Sequence, residues 1–250
     1  MSVCACARVV CWSSPQVWCG YQIARKGRRV EFDCPGAVEQ FALIGEHNTA
    51  NALAASLVAR QAGVDDAQIS GALVDFPGVL RRQQIRVDRL SVNRVENTPL
   101  TFIEDFAHHP TAVVATIDAV REAYPGRTLH VLFEPRSATS HRNIFQRRYT
   151  AAFRRAHNVY LTDIFNKKKV PAAERLDVKG IIEAIRSKRS KGVGQKTTSV
   201  VEFAKDADAL LTKFRKRFRS TPGKGDVVLA LSNGAFGGIY TKLDEFLGEL

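Results

Sequence analysis

No run in this chain approaches the roughly twenty apolar residues that a membrane-spanning helix requires, so a membrane partner is not expected. Cysteine is absent after residue 34; the five present are Cys4, Cys6, Cys11, Cys19 and Cys34. Their odd number, irregular spacing and lack of a nearby histidine argue against both a disulfide framework and a metal cluster. A secretory leader is poorly matched as well, because the opening MSVCACARVVCWSSPQVWCG has one arginine and a short apolar stretch broken by Cys and Ser. These absences predict a cytoplasmic protein. Acidic residues are the other deficit: 25 against 37 Lys and Arg gives a formal net charge of +12, which favours polyanionic or phosphorylated ligands. The excess lies in residues 142–155, 167–169, 186–196 and 213–219, runs that solvated helix faces would also produce. Spread over several elements and without an RNA-binding aromatic signature, it does not predict a nucleic-acid partner.

The 250 residues, 45% of them apolar, suffice for a proper core in one large α/β domain or in a domain and part of another. Residues 1–20 have no clear periodicity. Residues 21–44 alternate enough for two or three strands around turns at Gly27 and Pro35-Gly36. A helix then runs through HNTANALAASLVARQAGV, with Leu53, Leu57 and Val58 near one face and a stop at Gly63, and a second covers residues 66–74. Beyond Arg82, residues 85–95 and 100–106 read as a strand pair joined through Asn97, Thr98 and Pro99. Strands at 128–133, 159–162, 198–203 and 227–231 then alternate with helices at 111–124, 144–157, 177–189, 206–217 and 236–250. Such alternation predicts an α/β fold with a mostly parallel sheet and helices on both faces, and a domain boundary near Leu80.

Six segments sit at element ends: GEHNTAN (45–51), FPGVLRR (76–82), EDFAHHP (104–110), FEPRSAT (133–139), LTDIF (161–165) and LSNGAFGGI (231–239). In an alternating chain, strand ends and helix starts converge on a binding edge. EDFAHHP is the most informative, with two carboxylates and two imidazoles on one strand-to-helix turn, although a histidine there can simply cap the helix. Asn48 and Asn51 lie three apart on one helix, and a carboxamide suits a purine edge; N-capping by Asn48 would explain it equally well. Arg81 and Arg82 offer planar guanidiniums to phosphate oxygens. Arg136 is placed for a carboxylate or phosphate, or for an ion pair with Glu134. Ser232, Asn233 and the Gly234 amide precede a helix and suit an anion, while Gly237 and Gly238 could serve close helix packing.

As a set, the segments resemble the Mur ligase superfamily, ATP-dependent enzymes that join an amino acid or peptide to a UDP-linked muramic acid. GEHNTAN resembles the signature G-x-H-N-x-x-N of the central domain, and EDFAHHP the turn D-D-Y/F-x-H-H-P. FEPRSAT followed by NIFQ, PAAERLDV and LSNGAFGGI is most similar to the muropeptide-ligase branch, which attaches L-Ala-γ-D-Glu-meso-diaminopimelate to UDP-N-acetylmuramate in peptidoglycan recycling. The resemblance covers residues 42–250. It implies a Rossmann-like C-terminal domain at 81–250, preceded at 1–80 by the tail of an α/β ATP-binding central domain.

By this resemblance, Asn48 and Asn51 would contact adenine, Arg82 the ATP phosphates and Asp105 the ribose hydroxyls. His108 and His109 would lie near the transferring phosphate and the incoming peptide, and Arg136, Ser137, Ser232 and Asn233 would recognise peptide carboxylates. The implied reaction makes an acyl phosphate that the acceptor amine attacks, with ATP and Mg²⁺ supplying the phosphoryl chemistry. Departures are equally informative. Nothing upstream of Gly45 resembles the family's phosphate loop G-T-x-G-K-T/S, and the look-alike GVGQKTT at 192–198 has Gln195 in place of Gly and the wrong order. The family's acidic and histidine Mg²⁺ ligands and its UDP-binding domain are not recognisable. Gln84 stands where an acidic residue is frequent, and Ala235 where Gly is. The expectation is that the 250-residue chain alone does not ligate. The alternatives are another Mur branch that adds a single amino acid such as L-alanine, or a basic, non-catalytic nucleotide- or nucleic-acid-binding module.

Overall fold

The computed structural model describes residues 22–26, 29–34, 37–41, 43–89, 98–190, 199–220 and 225–249, with backbone only for 22–41, 189–190 and 219–220. Residues 1–20, the cysteine side chains, the turns at Gly27 and Pro35-Gly36, Asn97 and the GVGQKTT segment lie outside the described residues. Two compact units form, Met1–Gly78 and Val79–Leu250.

The first unit contains three antiparallel strands, β1 (Gln22–Lys26), β2 (Arg29–Cys34) and β3 (Ala37–Phe41), and two helices, α1 (Glu46–Gln61) and α2 (Asp66–Asp75). Chain entry to α1 passes through Gly45 at φ 96°, and Gly63 at φ 86° follows its end, a left-handed position that favours glycine. The buried stripe of α1 is Thr49, Ala52, Leu53 and Ser56. This corrects the face read from the sequence: Leu53 is buried, but Val58 is 70% exposed. Small residues at a three-to-four spacing make the packed face, so apolarity alone misplaced it. Asp65 caps α2 by accepting the Gln68 amide at 2.9 Å.

The second unit contains β4 (Gln84–Arg89), β5 (Leu100–Asp105), α3 (Pro110–Ala123), β6 (Thr128–Phe133), α4 (Gln146–Phe153), β7 (Asn158–Thr162), α5 (Val178–Ser190), β8 (Val201–Ala204), α6 (Ala207–Ser220), β9 (Asp226–Leu231) and α7 (Ile239–Gly248). They build the mostly parallel α/β arrangement anticipated from the sequence. The six-stranded sheet has the order β4-β5-β9-β6-β7-β8, with β4 antiparallel to β5 and the other pairs parallel. Every residue of β5, β7 and β9 is buried, as strands covered on both faces require. Edge strand β4 is half-buried to exposed.

One face packs Phe102, Leu132 and Tyr160 against Leu210, Phe214 and Phe218 of α6 and Leu243 and Phe246 of α7. On the other, Phe133 meets Tyr149 and Phe153 of α4, with ring centroids 5.5 and 5.1 Å apart. Two expected helices are shorter than their periodicity implies. Residues Asn143–Phe145 form a 3-10 turn before α4, and Phe236–Gly238 form another before α7. The latter kinks because Phe236, Gly237 and Gly238 all have positive φ. Gly237 also permits close packing, since a Cβ there would stand 2.7 Å from the Ala207 Cβ. Short 3-10 turns at Lys167–Lys169 and Ala172–Glu174 have no periodic signature in the sequence. No helix among the described residues is long and apolar enough to cross a membrane.

Candidate functional site

Parallel pairing brings the strand ends of the second unit together. Leu231 pairs with Asp105 on one side and with Phe133 on the other. The Ser232 amide donates to the Asp105 carbonyl and the Glu134 amide to the Leu231 carbonyl, each at 3.2 Å. EDFAHHP, LSNGAFGGI and FEPRSAT therefore leave one sheet edge side by side. LTDIF joins them through the Phe165 amide, 2.9 Å from the Pro135 carbonyl.

Successive strand residues face opposite sides, and this separates the two carboxylates of the EDFAHHP turn. Asp105 is 3% exposed; its oxygens accept the Gln83 amide at 2.8 Å, the Ala107 amide at 2.6 Å and the Thr116 hydroxyl at 3.5 Å. So committed, Asp105 holds the turn, and the ribose contact expected of it would require that turn to open. Glu104, 2% exposed, accepts Arg81 Nε and Arg86 Nη1, each at 2.7 Å. A bulge between Ile85 and Val87 turns Arg86 toward this pair, and Arg86 continues to Asp244 at 2.5 Å.

Arg81 and Gln83 have left-handed φ values of 61° and 50°, uncommon for non-glycine residues. Hydrogen bonds hold them there: Gln84 Oε1 accepts the Arg81 amide at 3.0 Å, and Asp105 accepts that of Gln83. Arg81 also donates to the Ser232 and Gly234 carbonyls at 3.1 and 2.6 Å. Its guanidinium thus ties the loops together and is not free for phosphate, which corrects that reading of Arg81. Burial and this guanidinium's contacts bear on the neighbouring Tyr240 too, whose phenol is pushed up to about 12, chiefly by burial. Arg82 points outward, 5.0 Å over the Phe106 ring, with no ion pair among the described residues, so it stays available to an anion.

The two imidazoles adopt opposite tautomers by hydrogen-bond logic. His108 Nδ1 lies 3.1 Å from the Phe106 carbonyl; a carbonyl only accepts, so Nδ1 carries a proton, and in the neutral ring Nε2 is the nitrogen with the lone pair. His109 Nδ1 accepts the Thr111 amide at 3.3 Å as the N-cap of α3, which leaves the proton on Nε2. The capping role is therefore real for His109, and Pro110 fills the first helical position behind it. Tyr149 fixes the pair from below by donating its hydroxyl to the His108 carbonyl. Burial pushes that phenol above its ordinary pKa and keeps it a donor.

Arg136 lies across LSNGAFGGI. Its guanidinium carbon is 3.8 Å from the Phe165 ring centroid, and Nη1 is 3.6 Å from Glu134. The pairing with Glu134 exists but is long, because Glu134 is already held by the Ser232 hydroxyl at 2.9 Å. Ser232 is fully buried and also accepts the Gly234 amide at 3.1 Å; these contacts direct its hydroxyl to Glu134, and the peptide-carboxylate contact expected of it would have to displace them. The Ser137 hydroxyl likewise serves a turn, 2.9 Å from Ser140 Oγ and accepting the Ser140 amide at 3.0 Å. The Asn233 carboxamide oxygen is buried without a hydrogen-bond partner, a costly condition that a ligand donor would relieve.

A Cβ on Gly234 would fall 2.1 Å from Arg136 Cδ and Nε. Gly234→Ala is therefore expected to displace Arg136 from Phe165 at little cost in stability, since a flexible side chain yields. Melting curves paired with a carboxylate-ligand titration check this: unchanged melting with several-fold weaker binding is expected, and unchanged binding contradicts it.

His141, absent from the expected residues, sits beside FEPRSAT with Nε2 buried and unpartnered. Burial, with a smaller contribution from Lys169, holds its pKa below the ordinary imidazole value. A lone histidine in SATSHRN gave no sign of this. In the first unit, the Asn48 carboxamide donates to the Ile44 carbonyl at 2.8 Å, while Gly45 holds the N-cap position; Asn48 is thus not the cap. Asn51 is exposed on α1. No group of three His, Cys, Asp or Glu suited to a metal occurs among the described residues.

A family model described as "Mur ligase, glutamate ligase domain" matches residues 88–234. UDP-N-acetylmuramate–L-alanine ligases of Methylococcus capsulatus (33% identity, 83% of this chain, 40% of the relative) and Nitrosospira multiformis (34%, 68% and 36%) are similar in sequence. The chain thus spans about two fifths of the length of these curated relatives. Among solved structures, UDP-N-acetylmuramate-alanine ligase of Thermotoga maritima is similar in fold, with TM-score 0.66, 19% identity, 93% of this chain and 47% of that one. A murein peptide ligase of Psychrobacter arcticus gives TM-score 0.58, 23% identity, 92% and 44%.

Proposed function

Since the chain belongs to the Mur ligase family, as the match to its glutamate ligase domain shows, we propose that it is the acceptor-binding part of an ATP-dependent ligase that forms an amide on UDP-N-acetylmuramate. The observation carrying this reading is the convergence of four motif segments at one sheet edge, with Arg136 laid across Gly234. The names of the curated relatives support L-alanine as the acceptor. A second reading, the L-Ala-γ-D-Glu-meso-diaminopimelate tripeptide of the muropeptide ligases, is favoured by FEPRSAT and LSNGAFGGI.

Either acceptor presents a carboxylate and an amine. In this proposal Arg136 takes the carboxylate, its ring contact with Phe165 fixing the guanidinium plane for two-point contact. Asn233 Oδ1 accepts from the acceptor's N–H. His108 Nε2, with its free lone pair, takes the proton that the amine sheds on forming the amide. His109 Nε2–H faces developing negative charge as a donor. Arg82 offers its guanidinium to a phosphate oxygen. The described residues do not fit a complete ATP·Mg²⁺ centre: they hold no metal cluster, Asp105 is turned inward, and the sequence has no phosphate loop.

With ATP, Mg²⁺, UDP-N-acetylmuramate and either acceptor, the purified chain is expected to release no ADP, yet to bind its acceptor in a calorimetric titration. L-alanine binding at least tenfold tighter than the tripeptide supports the first reading, and the reverse order the second. Acceptor-dependent ADP release from the chain alone contradicts the proposed division of labour.

A further inference from the structure

The loop after β6 carries Arg136, and His141 anchors its far end. The His141 amide donates to the Ser137 carbonyl at 3.0 Å, and the His141 carbonyl accepts the Leu176 amide at 2.7 Å. At the near end, the Pro135 carbonyl accepts the Phe165 amide at 2.9 Å and also meets the His141 ring. Phe165 in turn supports the Arg136 guanidinium at 3.8 Å. The imidazole therefore packs against the peptide group that leads directly into Arg136.

His141 is 6% exposed, and its Nε2 is buried with no hydrogen-bond partner among the described residues. A neutral ring tolerates this at the cost of one unused lone pair. An imidazolium has two N–H donors, and one of them would be buried with nothing to accept it. The surrounding charges offer no relief. On the same loop, Glu134 is held by the Ser232 hydroxyl and faces Arg136, and Arg142 pairs with Glu174 at 2.7 Å. On the facing segment, Asp163 pairs with Lys167 at 2.8 Å, Arg175 donates to the Val170 carbonyl, and Asp177 accepts the Gly180 amide. Lys168 is exposed, and Lys169 repels positive charge on the ring.

We propose that neutral His141 is a positioning residue for Arg136: it seats the loop in its acceptor-binding arrangement, and protonation releases the loop, so that acceptor affinity falls with pH. The inference rests on the proposed acceptor site. Burial, aided by Lys169 and opposed by the Pro135 carbonyl, holds the His141 pKa below the ordinary 6.5. A base whose pKa is lowered in the seated loop stabilises that loop fully above about pH 6.5, and the advantage is lost as pH falls toward the lower value.

A ligand-free pH titration of the ¹⁵N-labelled chain is the first test. The His141 ring is expected to titrate below 6.5, and the Ser137, Ser140, Phe165 and Leu176 amides to move with the same midpoint. In His141→Gln, whose carboxamide is neutral throughout, those amides are expected to stay still. The parent titration needs no variant, so a poorly folded His141→Gln leaves this test intact. Calorimetric titrations with L-alanine and with the tripeptide are the second readout. Parent affinity is expected to weaken by up to about tenfold from about pH 7.5 to about pH 5.5. His141→Gln is expected to match the parent at the higher pH and to lose markedly less at the lower. An ordinary His141 pKa, loop amides that stay still while the ring titrates, or equal losses of affinity in parent and His141→Gln overturns the proposal. A chain that binds neither acceptor at any pH contradicts the proposed function instead, and the ligand-free titration still decides whether His141 seats the loop.

Discussion

Arg136→Ala is expected to weaken acceptor binding by about tenfold to hundredfold while leaving the melting temperature close to the parent's. Losing a charge-assisted hydrogen bond to a carboxylate costs about 1.5–3 kcal/mol, and a two-point contact sits at the upper end. The stability change is small because Arg136 is 27% exposed and its one carboxylate neighbour is 3.6 Å away, a weak pair in solvent. Glu134 is not orphaned by the change, since the Ser232 hydroxyl still donates to it. Arg136→Lys is expected to recover little affinity, because an ammonium cannot match the planar two-point geometry or stack on Phe165 in the same way. Titrating both variants with L-alanine and with the tripeptide checks this. Parent-like affinity in Arg136→Ala would remove Arg136 from the site.

Glu104→Ala is expected to act on stability instead. Glu104 is 2% exposed and accepts from both Arg81 and Arg86; Asp244 also holds Arg86, so the loss falls mainly on Arg81, which in turn ties Ser232 and Gly234 to the turn. Breaking a buried pair on one side typically costs about 3–5 kcal/mol. Here the arginine side chains are 35% and 25% exposed, and water can re-solvate them, so about 2–3 kcal/mol is the discounted expectation. For a unit of this size each kcal/mol lowers the melting temperature by about 2–4 °C. A urea melt with a clearly lower midpoint and an unchanged slope is the expected result. A change below about 0.5 kcal/mol, the scale of an ordinary surface substitution, would show that the network does not hold the loops.

Much of the second unit was legible because its strands are continuous apolar runs and its helices carry strong periodicity. Residues 128–133 are expected and found as β6, and 227–231 differ from β9 by one residue. Local apolar counting failed where backbone conformation or small residues decide. The α1 face rests on Thr49, Ala52 and Ser56, and the helix expected at 236–250 breaks at positive φ values that one glycine pair permits. The segments that meet at the sheet edge were legible as a set, their individual side-chain contacts less so. Sequence marks Asp105 and Ser232 as polar groups at strand ends; it does not reveal that backbone amides and Glu134 consume them. Nor could spacing find Tyr149 or Glu104 as the supports of the HHP turn and the Arg81 loop, because those contacts join residues 41 and 23 positions apart.

In the proposed function, one sheet edge, built by the loops after β5, β6 and β9 and centred on Arg136, receives the acceptor. Backbone amide shifts of the ¹⁵N-labelled chain during acceptor titration test it most directly. Saturable shifts confined to residues 133–140, 231–235 and the 106–110 turn, and lost in Arg136→Ala, are the predicted result. Saturable binding that leaves those segments unmoved, or that persists unchanged in Arg136→Ala, would contradict the account.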